Sequence, residues 1–255
     1  MSVEVLNTAD TALAAPRCGH DYQISCNNCR LSSICLPLAL DVSQVDMLDR
    51  IIERSRPLQK GEHLYRQNEE FASVFAVRSG SVKAYAITDN GQEQVTGFYF
   101  PGEILGMDGI AKNKYASSAR ALETSSICEI PFDKLGELSA RIPSLQKHFF
   151  QLMSQEIAED QQLLTLLSKN TADQRVAALL LSISARNKRR KLSAANFRLP
   201  MSRTDIGNFL GLTVETVSRV LSRFQKLGVL GVDNKEITIL DAEGLRGVAE
   251  GLEPA

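Results

Sequence analysis

The chain has 255 residues, 44% of them hydrophobic, enough apolar mass for one large core or two ordinary ones. A formal charge of −1 excludes a whole-molecule field that draws the protein to nucleic acid or membrane, so any such affinity has to come from a local patch. No apolar run approaches bilayer length, and the start, MSVEVLNTADTALAAPRC, lacks the basic flank and apolar block of a signal peptide, so the sequence reads as cytoplasmic.

Residues 1–20 are polar, small and without periodicity, and read as a flexible tail. Then Cys26, Cys29 and Cys35 fall inside ten residues of a chain with five cysteines. In a reducing compartment an odd, clustered set is poor material for disulfides and better material for a metal or redox site. "DVSQVDMLDRIIERSRPL" follows, with Val45, Leu48, Ile51 and Ile52 on a helical stripe that Pro57 closes.

From Lys60 to about Pro131 brief β-branched and aromatic runs alternate with glycines. "KAYAITDNGQEQVTGFYF" gives two strands around Asn90-Gly91, a hairpin signal, and several such strands in so short a stretch predict a compact antiparallel roll or barrel.

Residues 144–170 contain no Gly or Pro and follow Pro143. Phe150, Met153, Ile157, Asp160, Leu164 and Leu167 step by three and four, a coiled-coil seam for pairing with a second copy. Leu163 and Leu166 on the other side argue for a helix packed on its own roll, and a long helix can do both. Asp160 is the odd member of the seam. Either it faces its own copy, where two like charges oppose association, or the helix turns it to water.

"TADQRVAALLLSISARNKRRKL" predicts another helix with a basic end. In "SRTDIGNFLGLTVETVSRVLSRFQKLG" two amphipathic helices flank the turn Gly211-Leu212-Thr213, with Ile206, Phe209, Leu210 and then Val217, Val220, Leu221 and Phe224 inward. Glu215, Ser218, Arg219, Ser222 and Arg223 share the outer face of the second helix. This is the pattern of a helix-turn-helix whose second helix lies in the major groove. Arg219 suits guanine O6 and N7, Glu215 the cytosine amine, and Ser218 a base or a phosphate. Arg203 at the head of the first helix, Thr213 in the turn and Arg223 complete the candidate DNA-binding set. Residues 171–235 hold twelve Lys/Arg against four Asp/Glu, a local +8. "GVLGVDNKEITIL" predicts a wing hairpin around Asp233-Asn234.

In this order of elements the chain resembles the cyclic-AMP receptor and fumarate-nitrate reduction regulator superfamily from about residue 20 to 245, through "GEHLYRQ", "VRSGSVKAY", "ITDNGQEQVTGFYFPGEILGMDGI" and "DIGNFLGLTVETVSRVLSRFQ". The resemblance implies an α+β fold: a flexible tail at 1–20, a cluster-binding segment and β-roll at 21–142, a dimerisation helix at 143–170 and a winged helix-turn-helix at 171–250. The cysteine pattern is similar to that of the oxygen-sensing fumarate-nitrate reduction regulators, which implies a [4Fe-4S] cluster on Cys26, Cys29, Cys35 and, in "SSICEIP", Cys128, with Cys18 a non-ligand. Arg30, directly after Cys29, is expected to stabilise the cluster charge. Where the cyclic-AMP receptor has an adjacent Arg-Ser pair for its ligand's phosphate, "KYASSARALE" places Tyr115-Ala116, so no cyclic nucleotide is expected.

The function so implied is an oxygen-responsive regulator, mainly an activator, of anaerobic or microaerobic genes. The cluster promotes a homodimer on a palindromic TTGAT-type site in double-stranded DNA, and a surface loop at Thr88–Gln92 touches RNA polymerase. A zinc or thiol switch with the same output is the alternative. An electron-carrying or catalytic iron-sulfur protein is the third class. The helix-turn-helix and the lack of a substrate-activating constellation argue against it, since His20, His63 and His148 are scattered surface or packing residues.

Overall fold

A computed structural model of the chain describes residues 24–252; the tail at 1–20, Cys18 and His20 lie outside the described residues. The cysteine segment forms two short 3-10 turns, Cys26–Asn28 and Leu36–Ala39. Asp41 then caps α1 (Val42–Ile51): its carboxylate accepts from the Gln44 N–H at 2.9 Å, and the Gln44 side chain accepts from the Asp41 N–H at 3.1 Å. The helix stops well before Pro57, because Ile52 is extended and β1 (Glu53–Arg54) joins a sheet opposite Glu129 and Cys128.

The roll consists of two four-stranded antiparallel sheets. β1, β3 (Ser73–Ser79), β6 (Ile104–Leu105) and β8 (Ser126–Pro131) lie in the order β1-β8-β3-β6. β2 (His63–Tyr65), β4 (Val82–Ile87), β5 (Glu93–Tyr99) and β7 (Ser118–Ala121) lie in the order β2-β7-β4-β5. Their apolar faces enclose Tyr65, Phe75, Val82, Leu105, Tyr115 and Ile127. The Asn90-Gly91 hairpin is present with a longer loop than a two-residue turn: Thr88 N–H bonds the Gln92 carbonyl at 2.9 Å, and Gly91 takes the positive φ of 78°.

Two helices close one end of the roll. α2 (Phe132–Arg141) leads through Ile142 into α3 (Pro143–Lys169), with Pro143 in the first turn, where its missing N–H costs nothing. Leu145 and Phe149 of α3 are buried in a core shared with Leu135, Leu138 and Ile130, and His148 of the same helix is buried too. Beyond them Leu152 and Met153 still pack on that core, and Glu156 is bonded to Tyr99 of β5.

α4 (Ala172–Arg189) is capped by Thr171 with Gln174. β9 (Asn196–Arg198) precedes α5 (Arg203–Leu210), which Ser202 and Asp205 cap and which ends at Gly211 in the left-handed conformation, φ 64°. α6 (Val214–Lys226), β10 (Leu230–Asp233), β11 (Glu236–Ile239) and α7 (Ala242–Glu250) complete a winged helix, with β9 as a third strand beside the wing hairpin. Asn234 at the wing tip has φ 52°. Among the described residues no helix is long and apolar enough to cross a membrane.

The winged helix is seated on the roll. Its core continues into Tyr85, Val95, Phe98 and Phe100, and Phe98 meets Phe209 with ring centroids 5.0 Å apart. Lys83, with a side chain only 5% exposed, bonds Glu93 at 3.0 Å and Asp205 at 2.7 Å.

Candidate functional site

Cys26, Cys29, Cys35 and Cys128 all line one cavity, together with Leu36, Leu48, Ala76, Arg78 and Ile130. Three come from the N-terminal segment, and the fourth stands on β8 with Arg54 and Ala76 as its cross-strand partners. The loop is held from both sides. The Cys26 N–H donates to Asp49 Oδ1 at 2.7 Å, and Ile34 seats over Gly102, where a Cβ would come within 2.7 Å of the isoleucine Cδ1. Leu36 and Pro37, directly after Cys35, are buried, and Leu36 belongs to the core that contains Leu145 and Phe149 of α3. The loop is thus joined to the long helix by packing as well as through the sheet.

Burial raises the Cys26 and Cys128 thiols above their ordinary range and pushes Cys35 up to about 12, against the opposing Leu36 N–H. Such thiols keep their protons near neutral pH until a cation takes up the sulfurs. Among the described residues no three His, Cys, Asp or Glu side chains stand close enough together to hold a single metal ion. Arg30 is exposed, whereas Arg54 reaches the thiols from β1: its Nη2 donates to Asp49 Oδ1 at 2.5 Å and lies 3.8 Å from Cys26 Sγ. Arg78 lines the same cavity. Sequence offered no local signal for either arginine, because only the sheet register brings Arg54 beside Cys128.

On α3 the seam residues divide by position. Met153 and Leu167 are half-buried, whereas Phe150, Ile157 and Leu164 are 59%, 57% and 68% exposed. Large apolar side chains so open to water on one helix face mark an interaction surface. Asp160 is exposed on the same stripe. Another side meets the rest of the chain: the Tyr99 hydroxyl of the roll donates to Glu156 Oε1 at 2.6 Å, and Arg186 of α4 pairs with Glu159 at 3.3 Å.

Glu215, Ser218, Arg219 and Arg223 are all exposed along α6, and Thr213 caps that helix through its hydroxyl. Arg219 leans on the Thr216 hydroxyl at 3.2 Å, and Arg223 pairs with Asp173 at the head of α4. Arg203 is set differently: it is half-buried and donates to the Asn234 carbonyl at the wing tip, 3.0 Å away. The basic end of α4 is spread over two surfaces. Arg186 and Arg190 stack over the Phe100 ring and, with Arg189, surround Glu103. Their charges are partly neutralised there, so the +8 counted from sequence overstates what an outside partner meets.

Inside the roll Tyr115 is buried and stacks on Tyr65 at 4.0 Å, with its hydroxyl donating to the Ser73 carbonyl at 2.8 Å. His63 bonds the Tyr85 hydroxyl at 2.8 Å, and His148 is buried in the α3 core region. His63 and His148 are thus not among the residues that line the cysteine cavity.

A family model described as the Crp-like helix-turn-helix domain matches residues 174–248, and one described as the cyclic nucleotide-binding domain matches residues 55–141. The chain is 52% identical to the transcriptional activator protein FnrA of Stutzerimonas stutzeri, over 90% of this chain and 94% of that protein. It is 53% identical to the transcriptional activator protein anr of Pseudomonas aeruginosa, again over 90% and 94%. The fumarate and nitrate reduction regulatory protein of Yersinia pestis is 47% identical over 91% of this chain and 93% of that protein. Among solved structures, FixK2 from Bradyrhizobium japonicum superposes with a TM-score of 0.72 at 28% identity, covering 78% of this chain and 97% of that one.

Proposed function

The chain belongs to the Crp/FNR family of transcription regulators, as a member of the fumarate and nitrate reduction type, and from that premise we propose that it is an oxygen-responsive activator governed by a [4Fe-4S] cluster. It is not an enzyme. The observation that carries the proposal is the single cavity lined by all four cysteines, wedged between the roll and a loop that packs on the head of α3.

Cys26, Cys29, Cys35 and Cys128 are the thiols that would hold the cluster, and four cysteine thiolates are the donor set such a cluster takes. Bound there, it would supply a tie among the four sulfurs that dioxygen destroys. The chain's own residues do the rest. Leu36 fixes the loop against Leu145 and Phe149, and β8 runs directly into α2 and α3. A loop held in place therefore fixes the head of α3. Phe150, Ile157 and Leu164 then close on a second copy, setting two α6 helices about one helical turn apart on a palindromic site. Arg219, Glu215 and Ser218 read the TTGAT-type half-site, while Thr213, Arg203 and Arg223 hold its backbone. The exposed loop Thr88–Gln92 is the surface offered to RNA polymerase. Tyr115, stacked inside the roll, fills space and brings no cation for a cyclic nucleotide's phosphate. The site of action is the cytoplasm.

A thiol switch is less well served by these residues, because the redox nucleophile is a thiolate and burial works against it at Cys26, Cys35 and Cys128. Zinc is separated by colour. Protein purified without air is expected to be brown and dimeric, and on exposure to air to bleach and become monomeric. A colourless dimer indifferent to air would return the cysteines to zinc.

Arg54, beside Cys26 and Asp49, is better placed than the exposed Arg30 to stabilise the cluster charge. Arg54→Gln is expected to shorten the lifetime of the visible absorbance in air several-fold, and Arg30→Ser to leave it nearly unchanged. Equal decay in the two variants would count against the Asp49–Arg54 brace.

A further inference from the structure

Arg175 lies in the first turns of α4, half-buried, and its guanidinium holds three carbonyls that belong to three different pieces of the chain. Nη2 donates to the Leu167 carbonyl in the last turn of α3 at 2.7 Å. Nε donates to the Asn170 carbonyl at the joint between α3 and α4 at 2.9 Å. Nη1 donates to the Leu210 carbonyl at the end of α5 at 3.0 Å, immediately before the turn that leads into α6.

Helix C-termini present carbonyls with no partner of their own and carry the negative end of the helix dipole. One cation here serves two such ends, α3 and α5. Only a planar fork with donors in fixed directions can meet three divergent carbonyls at once; a lysine ammonium is a point charge on a flexible stem. Among the other contacts that seat the winged helix, Lys83 with Asp205 and Arg186 with Glu103 reach the roll, and Arg186 meets α3 at Glu159, well before the helix end that Arg175 holds.

We propose that Arg175 is a positioning residue that fixes the angle between the long helix and the α5–α6 pair, and so sets the separation of the two recognition helices in the dimer. This rests on the reading of the protein as a dimeric DNA-binding regulator. Arg175 itself is not required to touch DNA. Its contribution is to geometry, so its loss is expected to relax the choice of half-site spacing rather than the choice of base.

The test uses the full chain purified without air. The probes are duplexes with two inverted TTGAT-type half-sites, their centres about 10 base pairs apart, and the same duplexes with one or two base pairs inserted. The wild type is expected to prefer the first spacing by at least about tenfold. In Arg175→Lys and Arg175→Gln, checked as dimers by sizing, that ratio is expected to fall toward unity. A residue that merely stabilises the fold would weaken both probes alike, so an unchanged ratio overturns the proposal. Where Arg175→Gln does not fold, Arg175→Lys, which keeps the charge and loses the fork, decides. Failure of the wild type to bind any spacing overturns the regulator reading itself, and this proposal with it.

Discussion

Cys128→Ser is expected to give a folded but colourless protein that sizes as a monomer without air and loses about 100-fold or more of its affinity for the palindrome. Of the four cysteines this one isolates the switch from the fold. It stands in a paired strand between Arg54 and Ala76, so β8 keeps its backbone bonds when sulfur is replaced by oxygen. Its thiol is half-buried, and the strand pairing of β8 runs through the backbone and not through the sulfur. The local cost of the change is therefore small, on the order of 1 kcal/mol, whereas the loop loses its only sulfur partner on the roll. The size of the affinity loss follows from valency. A monomer engages one half-site, and the second contact ceases to be intramolecular. The visible spectrum, a sizing run and retardation of a palindromic duplex check the result together. A Cys128→Ser protein that stays brown and dimeric would remove Cys128 from the ligand set. Cys18→Ser is the matched control and should change none of the three.

What could be read from the chain beforehand follows the range of the interactions. α5 and α6 were legible because each buries its own stripe and Gly211 marks the turn, and α3 because Pro143 opens a run without breakers. α2 escaped notice although Phe132, Leu135 and Leu138 keep helical spacing. Gly136 interrupts the pattern, and open space surrounds the place where its Cβ would sit, so it answers no steric demand. The three close cysteines announced a site by themselves. Cys128 came only with the resemblance, since nothing local ties it to the others and the β1-β8-β3 register is what delivers it.

Charged residues were the least legible. Adjacency in the chain points to Arg30, and the structure adds Arg54 beside Cys26 from another element. Arg186, Arg189 and Arg190 counted toward a basic patch, yet they meet Glu103, whose carboxyl burial pushes up and these arginines pull down. A charge run carries no record of which distant partner it answers, so three arginines can face a neighbouring domain as readily as a polyanion.

Asp160→Ala is expected to dimerise in air, without the cluster. The stripe of Phe150, Ile157 and Leu164 is already apolar and open, so what opposes pairing in the unsupported protein is the charge set into it. Two like charges brought together at a partly screened seam cost on the order of 1 to 3 kcal/mol, which is roughly 5- to 150-fold in the dimerisation constant. The surroundings sharpen the penalty. Partial desolvation and then Glu159 hold the Asp160 carboxyl above its usual range. At Glu156, burial pushes the carboxyl up to about 7, against the Tyr99 hydroxyl, with Asp160, Glu159 and Glu103 adding to the rise. The sign of the pH effect follows. A carboxyl whose pKa is raised in the folded protein above the ordinary 4.5 holds its proton there while the unfolded chain has lost it, so folded stability falls as pH rises from 4.5 to about 7 and is level beyond. Asp160 gains its charge at the seam as pH rises through its raised range, while Glu156 titrates on the side turned to the roll, so cluster-free wild type should shift toward dimer as pH is lowered from a neutral to an acidic value. Asp160→Ala should be dimeric at both ends and show a weaker pH dependence. Sedimentation in air at the two pH values measures it. A variant that stays monomeric would mean that Asp160 does not hold the seam open, and the cluster's effect on α3 would then have to act through the Leu36 contact with Leu145 and Phe149 alone.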